Sequence, residues 1–152
     1  MSSVGVSGAR FVVRIGKPIV MRTALLITDA YLVGLAFVVG IVVYPAFRSV
    51  GLHEWSEYHG QHSSAITVAV GPAWLAQGVL CAAWILNGPQ RAIALAHGLF
   101  ALLGVVVTIF GAVPQHNAIA TQRTLTHLRK LELWHWIRTL AWIAALLCVV
   151  AL

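Results

Sequence analysis

Charge is what this sequence most lacks. Of 152 residues only four are acidic and ten are Lys or Arg, so charged side chains make up 9% of the chain against 60% hydrophobic. An ordinary soluble domain is about 25% charged and about 45–50% apolar. So few charges cannot cover a water-facing surface, which excludes a free-standing soluble domain and implies one compact integral membrane domain. Cysteine is scarce as well. Cys81 and Cys148 both fall in apolar stretches, with no CxxC and no Cys/His zinc spacing, and read as small buried hydrophobes. GxGxxG, Walker A, GxSxG and HExxH are all absent, so nothing signals a nucleotide cofactor or a hydrolase. The net charge of +6 does not indicate nucleic acid, because no basic repeat carries interleaved aromatics. Basic residues of membrane proteins gather at helix ends, against lipid headgroups.

What the chain does contain is apolar runs of spanning length. Hydropathy predicts an all-α, integral membrane four-helix up-down bundle over 24–152, with spans at about 24–44, 65–86, 92–113 and 134–152. Residues 1–23 form a basic leader with Arg10, Arg14, Lys17 and Arg22, expected to be disordered or, with Met21 as an alternative start, untranslated. The same basic cluster favours a cytoplasmic amino terminus. Pro45 and Pro114 are expected to end the first and third spans, and Pro72 to kink the second. Asn87-Gly88-Pro89 reads as a tight turn between antiparallel neighbours. Gly98, Gly104 and Gly111 suit close helix packing.

Polar residues within the spans are the functional candidates. Asp29 is either a functional carboxylate or, as the favoured reading, an interfacial one paired with Arg22 or Arg91. His97 falls at a similar depth in the third span, which permits a structural His–Asp pair, and Gln77 is expected to face the bundle interior. Arg138, one turn inside the fourth span, has to snorkel or find a partner, on a stripe shared with His127, Leu131, His135 and Trp142. Up-down topology gathers six of the seven histidines (53, 59, 62, 116, 127 and 135) at one end of the bundle. With Glu54, Glu57, Tyr58, Glu132 and Arg138 they outline a pocket. Three readings stay open there. The imidazoles act as general acids and bases, which suits a group titrating near neutral pH. They bind iron, copper or zinc, with His59, His62, His116 and His135 as the ligand set. Or they lie at the interface and hydrogen-bond water and headgroups.

At YHGQHSSAITVAVGP, VPQHNAIA and HWIRTLAW the chain resembles the anthrone oxygenase-like family of small four-span membrane proteins, over most of residues 24–152. Tyr58, His59 and His62 match its first motif; Pro114, His116 and Asn117 its second; Trp136, Arg138 and Thr139 its third. His135 stands where the family pattern has Asn, and Gln77 where related chains carry an acid. The resemblance implies dioxygen-dependent oxidation of a hydrophobic phenolic or polycyclic aromatic substrate, with either no cofactor or a copper or iron ion. It implies His59, His62 or His116 as the base, Arg138 as the group that stabilises a developing phenolate or enolate oxygen, and Tyr58, Asn117, Gln77 and Trp136 as substrate contacts. The lipid bilayer, the substrate and a second copy of the chain are the expected partners. The competing class is a non-enzymatic membrane protein that binds a metal or small ligand, or serves as a partner subunit. A transporter is disfavoured, since four spans without an inverted repeat leave little room for alternating access in a monomer.

Overall fold

A computed structural model describes residues 18–151, so residues 1–17 of the basic leader lie outside the described range. Every regular element among the described residues is helical. The elements are α1 (Pro18–Val38), a π-helical turn (Val39–Val43), α2 (Tyr44–Ala46), α3 (Trp55–Asn87), α4 (Arg91–Val107), a second π-helical turn (Thr108–Ala112), α5 (Val113–Thr121) and α6 (Leu125–Val150). They join into four rods long and apolar enough to cross a bilayer: Ile19–Ala46, Trp55–Asn87, Arg91–Thr121 and Leu125–Val150. The chain is a four-helix membrane bundle. Its first rod begins inside the leader, at residues that sequence reading left outside the span.

The helices outrun the apolar runs because two prolines fail to stop them. Proline lacks an amide hydrogen, and its ring collides with the carbonyl four residues earlier. For Pro45 and Pro114 those carbonyls belong to Ile41 and Phe110, each inside a π turn. There the register widens to i→i+5: Tyr44 N–H reaches Val39 O, and Val113 N–H reaches Thr108 O. The widened turn takes up the proline, and the helix goes on. The pattern is the same in both rods: a five-residue π turn, one further residue, then proline. Helix α3 likewise stays helical through Pro72.

The polar stretch 46–64 is therefore mostly helix rather than connection. Helix α3 has 33 residues, about 50 Å at 1.5 Å per residue, against about 30 Å of hydrocarbon. Its first turns, with His59 and His62, stand clear of the apolar layer. The real connections are short: 47–54, 88–90 and 122–124. Gly88 N–H closes the second turn on Trp84 O at 2.8 Å. Thr124 caps α6 by accepting from His127 N–H at 3.2 Å.

Asp29 departs from its favoured reading. It is fully buried, and it pairs with neither Arg22 nor Arg91. Its Oδ1 accepts from Gln77 Nε2 at 2.8 Å, and its Oδ2 lies 2.9 Å from Nε2 of His97, also fully buried. Arg22 instead donates to Val150 O. A carboxylate between apolar helices needs a partner on a facing helix, and α3 and α4 each supply one. The glycines serve close packing as expected, with Gly104 against Trp142, Gly111 against Trp134, and Gly98 against Cys81. Helix α3 is the least enclosed rod, with 11% of its apolar window buried against 28–33% in the others. It stands off from its neighbours, and the space beneath it is the site.

Candidate functional site

A cavity of about 390 Å³ lies between α3 and the facing parts of the other three rods. Leu35, Val39, Ile66, Val70, Trp74 and Trp142 make its apolar walls. Thr67 on α3 and Val113 and Asn117 across from it are exposed lining residues, so the cavity opens between the second and third rods.

The polar wall depends on the two π turns, which set Tyr44 and His116 opposite each other. The Tyr44 hydroxyl is 3.1 Å from His116 Nε2, and His116 Nδ1 is 3.2 Å from His59 Nε2. A neutral imidazole has one donor and one acceptor nitrogen. His116 therefore links phenol and imidazole in a chain that runs in either direction: a proton entering at one end shifts each hydrogen one step along. Phe47 and Trp55 back this chain. Their rings meet edge to face at 5.2 Å, and Trp55 lies over His59 at 5.1 Å. Trp55 Nε1 donates to Ile119 O at 2.7 Å, tying the first turn of α3 to α5.

On α6, His135 and Arg138 form a second polar unit. Arg138 Nη2 lies 2.7 Å from His135 Nδ1, and a guanidinium can only donate. Nδ1 is thus the acceptor and the ring hydrogen sits on Nε2, which donates to Ala36 O at 2.9 Å. The imidazole is neutral, with both nitrogens engaged. Gly40 makes this approach possible, since a Cβ there would fall 2.8 Å from His135 Nε2. Arg138 Nη1 donates to Thr108 Oγ1 at 3.3 Å, and the guanidinium lies 5.2 Å from the centroid of the Trp142 ring.

Five of the sequence candidates line the cavity together: His59, His116, Asn117, His135 and Arg138. The others are placed differently. His62 stacks beside His116 at 6.1 Å and packs on Phe47, just outside the lining. Tyr58 is 37% exposed and packs on Phe47 and Trp55. Gln77 is engaged with Asp29, and Trp136 packs against Phe37 and His135. His127 bonds Gln115 rather than joining the cluster. The expected acids do not reach the pocket either. Glu132 pairs with Arg48, Glu57 accepts from Gln61, and Glu54 folds against Gly51. Among the described residues no three His, Cys, Asp or Glu side chains are grouped so as to hold a metal ion. In the four-imidazole set, His135 has no nitrogen to spare.

Sequence reading missed Tyr44. The signal for it was a Tyr-Pro step at the histidine-rich end of an apolar span, placed like Val113-Pro114 at the same end of the third rod. Compared with models of protein families, with curated proteins and with solved structures, the chain matches none.

Proposed function

We propose that the protein is an anthrone oxygenase-like membrane oxidoreductase that oxidises an activated methylene of a hydrophobic phenolic or polycyclic aromatic substrate with dioxygen. The observation that supports this most is the Tyr44–His116–His59 chain on the wall of a largely apolar cavity that also holds Arg138. In this reading the chain accepts a proton from the methylene at its Tyr44 or His59 end, His116 passes it along, and Arg138 stabilises the resulting enolate oxygen. The electron-rich carbanion adds dioxygen. A returned proton gives the hydroperoxide, which loses its remaining C–H proton and expels hydroxide as the O–O bond breaks. One CH₂ and one O₂ become one C=O and one water, with four electrons passing from carbon to oxygen. Asn117 at the rim contacts the substrate as it enters. The resemblance implies a bacterial plasma membrane, and the basic cluster at Arg10, Arg14, Lys17 and Arg22 supports an amino terminus in the cytoplasm.

The test is oxygen uptake by the purified protein in lipid nanodiscs supplied with anthrone, corrected for autoxidation in empty discs. Uptake matched by quinone formation, and lowered at least about tenfold in His116→Ala, is the expected result, because general-base catalysis contributes about 10²–10⁴-fold. Uptake equal to that of empty discs across anthrone-like phenols would sink the proposal.

A further inference from the structure

The geometry points to an organic anion as the ligand of this cavity: an apolar body bearing a carboxylate- or phenolate-type oxygen that pairs with Arg138. The inference rests on reading the cavity as the substrate site and adds the charge state of what binds there. It starts from an imbalance. A guanidinium stays protonated under any condition in which a protein is folded. Arg138 is partly buried, lines the cavity and, among the described residues, touches only neutral groups: the Thr108 and Tyr44 hydroxyls, the acceptor nitrogen of His135 and the Trp142 ring.

The chain has four carboxylate side chains, and all of them are accounted for elsewhere. Asp29 is held by Gln77 and His97, Glu132 by Arg48 and Glu57 by Gln61, while Glu54 lies over Gly51. None lines the cavity. The contrast with Asp29 is instructive. The buried anion of this bundle has a histidine built against it, whereas the cation beside the cavity has no acid. A lone charge in a poorly solvated site is unfavourable unless an opposite charge arrives. Here the space for that charge is the cavity itself.

The donor inventory agrees. A guanidinium offers five N–H hydrogens, two on each terminal nitrogen and one on Nε. Thr108 and His135 take one from each terminal nitrogen. With the Tyr44 hydroxyl as a further acceptor, at least one terminal hydrogen remains for a ligand, and among the described residues Nε has no partner. The apolar walls select the other half of the ligand, since about 390 Å³ lined by Leu35, Val39, Ile66, Val70 and two tryptophans suits a compact ring system. A small inorganic anion would leave those walls in contact with nothing.

The experiment measures binding of two fluorescent probes of the same shape, 9-anthracenecarboxylate and its neutral carboxamide, to the full chain in zwitterionic-lipid nanodiscs. Partitioning into empty discs is subtracted. The carboxylate should bind at least about tenfold tighter than the carboxamide, which corresponds to about 1.4 kcal/mol. Arg138→Gln should abolish that preference, and Arg138→Lys should retain part of it. Equal binding of the two probes by the wild-type chain would overturn the inference, as would a preference that survives Arg138→Gln. Should Arg138→Gln fail to fold, the wild-type ratio alone still decides. Neither probe carries an oxidisable ring methylene, so the result is independent of oxygen uptake. Oxidation without anion preference removes only this inference, and anion preference without oxidation removes only the proposed reaction.

Discussion

Replacing Asp29 by Ala should destabilise the bundle more than any other single truncation among its polar residues. The carboxylate is fully buried and makes contacts of 2.8 Å with Gln77 and 2.9 Å with His97, so one substitution leaves polar groups on two other helices without a partner. Breaking a buried pair from one side costs about 3–5 kcal/mol, and most of that is the stranded partner rather than the lost attraction. For a chain of this size the loss corresponds to a fall in Tm on the order of 10 °C. Asp29→Asn keeps the volume and the acceptor for Gln77 but loses the charge, and it can meet His97 only by donating to an Nε2 that has given up its hydrogen, so it should cost about 1–3 kcal/mol. His97→Leu should resemble Asp29→Ala. The double variant Asp29→Leu/His97→Leu should then be less destabilised than the sum of its parts, since it strands Gln77 but no longer His97. Tryptophan fluorescence during thermal unfolding in a single detergent measures the wild type, these four variants and Asp29→Leu, which closes the cycle. A loss below about 1 kcal/mol for Asp29→Ala, or strict additivity in the double variant, would refute this reasoning.

Two further outcomes follow from the packing around the cavity. Gly104→Ala places a Cβ 2.5 Å from Trp142 Nε1, so the indole must shift towards the cavity it lines. Overpacking of this kind costs about 1–3 kcal/mol, and anthracene-probe affinity should fall along with Tm; unchanged affinity would show that the ring relaxes elsewhere. His135→Asn should be tolerated within about 1 kcal/mol, because an amide can both accept from Arg138 and donate to Ala36 O, whereas His135→Leu loses both bonds and should be the clearly weaker protein. A melting comparison of the two variants checks the order.

The membrane bundle was legible in the sequence because the shortage of charge and the length of the apolar runs leave few alternatives. Helix extent was less so. A proline rule written for a regular α-helix stops the chain at Pro45 and Pro114, and only a backbone view reveals the π turns at Val39–Val43 and Thr108–Ala112 that absorb them. Up-down topology correctly brought His59, His116 and His135 to one end, but it could not separate a cavity wall from a neighbouring surface. His62, Tyr58 and Trp136 therefore looked equivalent to residues that line the site. Asp29 was misjudged for a related reason. Arg22 and Arg91 were the visible opposite charges; the pair with His97 was legible from their similar depth, whereas the Gln77 contact depends on the register between helices, which spacing along one chain does not specify. Tyr44 went unnoticed because a tyrosine at the end of an apolar span usually marks the interface.

Proton abstraction within the cavity can be separated from oxidation by incubating anthrone with the protein under anaerobic conditions in D₂O and following deuterium uptake at the methylene by mass spectrometry. Wild-type protein in nanodiscs should accelerate exchange at least about tenfold over empty discs, with the gain lost in His116→Ala and reduced in Tyr44→Phe. Exchange at the empty-disc rate, with anthrone shown to occupy the cavity, would contradict the assignment of the Tyr44–His116–His59 chain as the base.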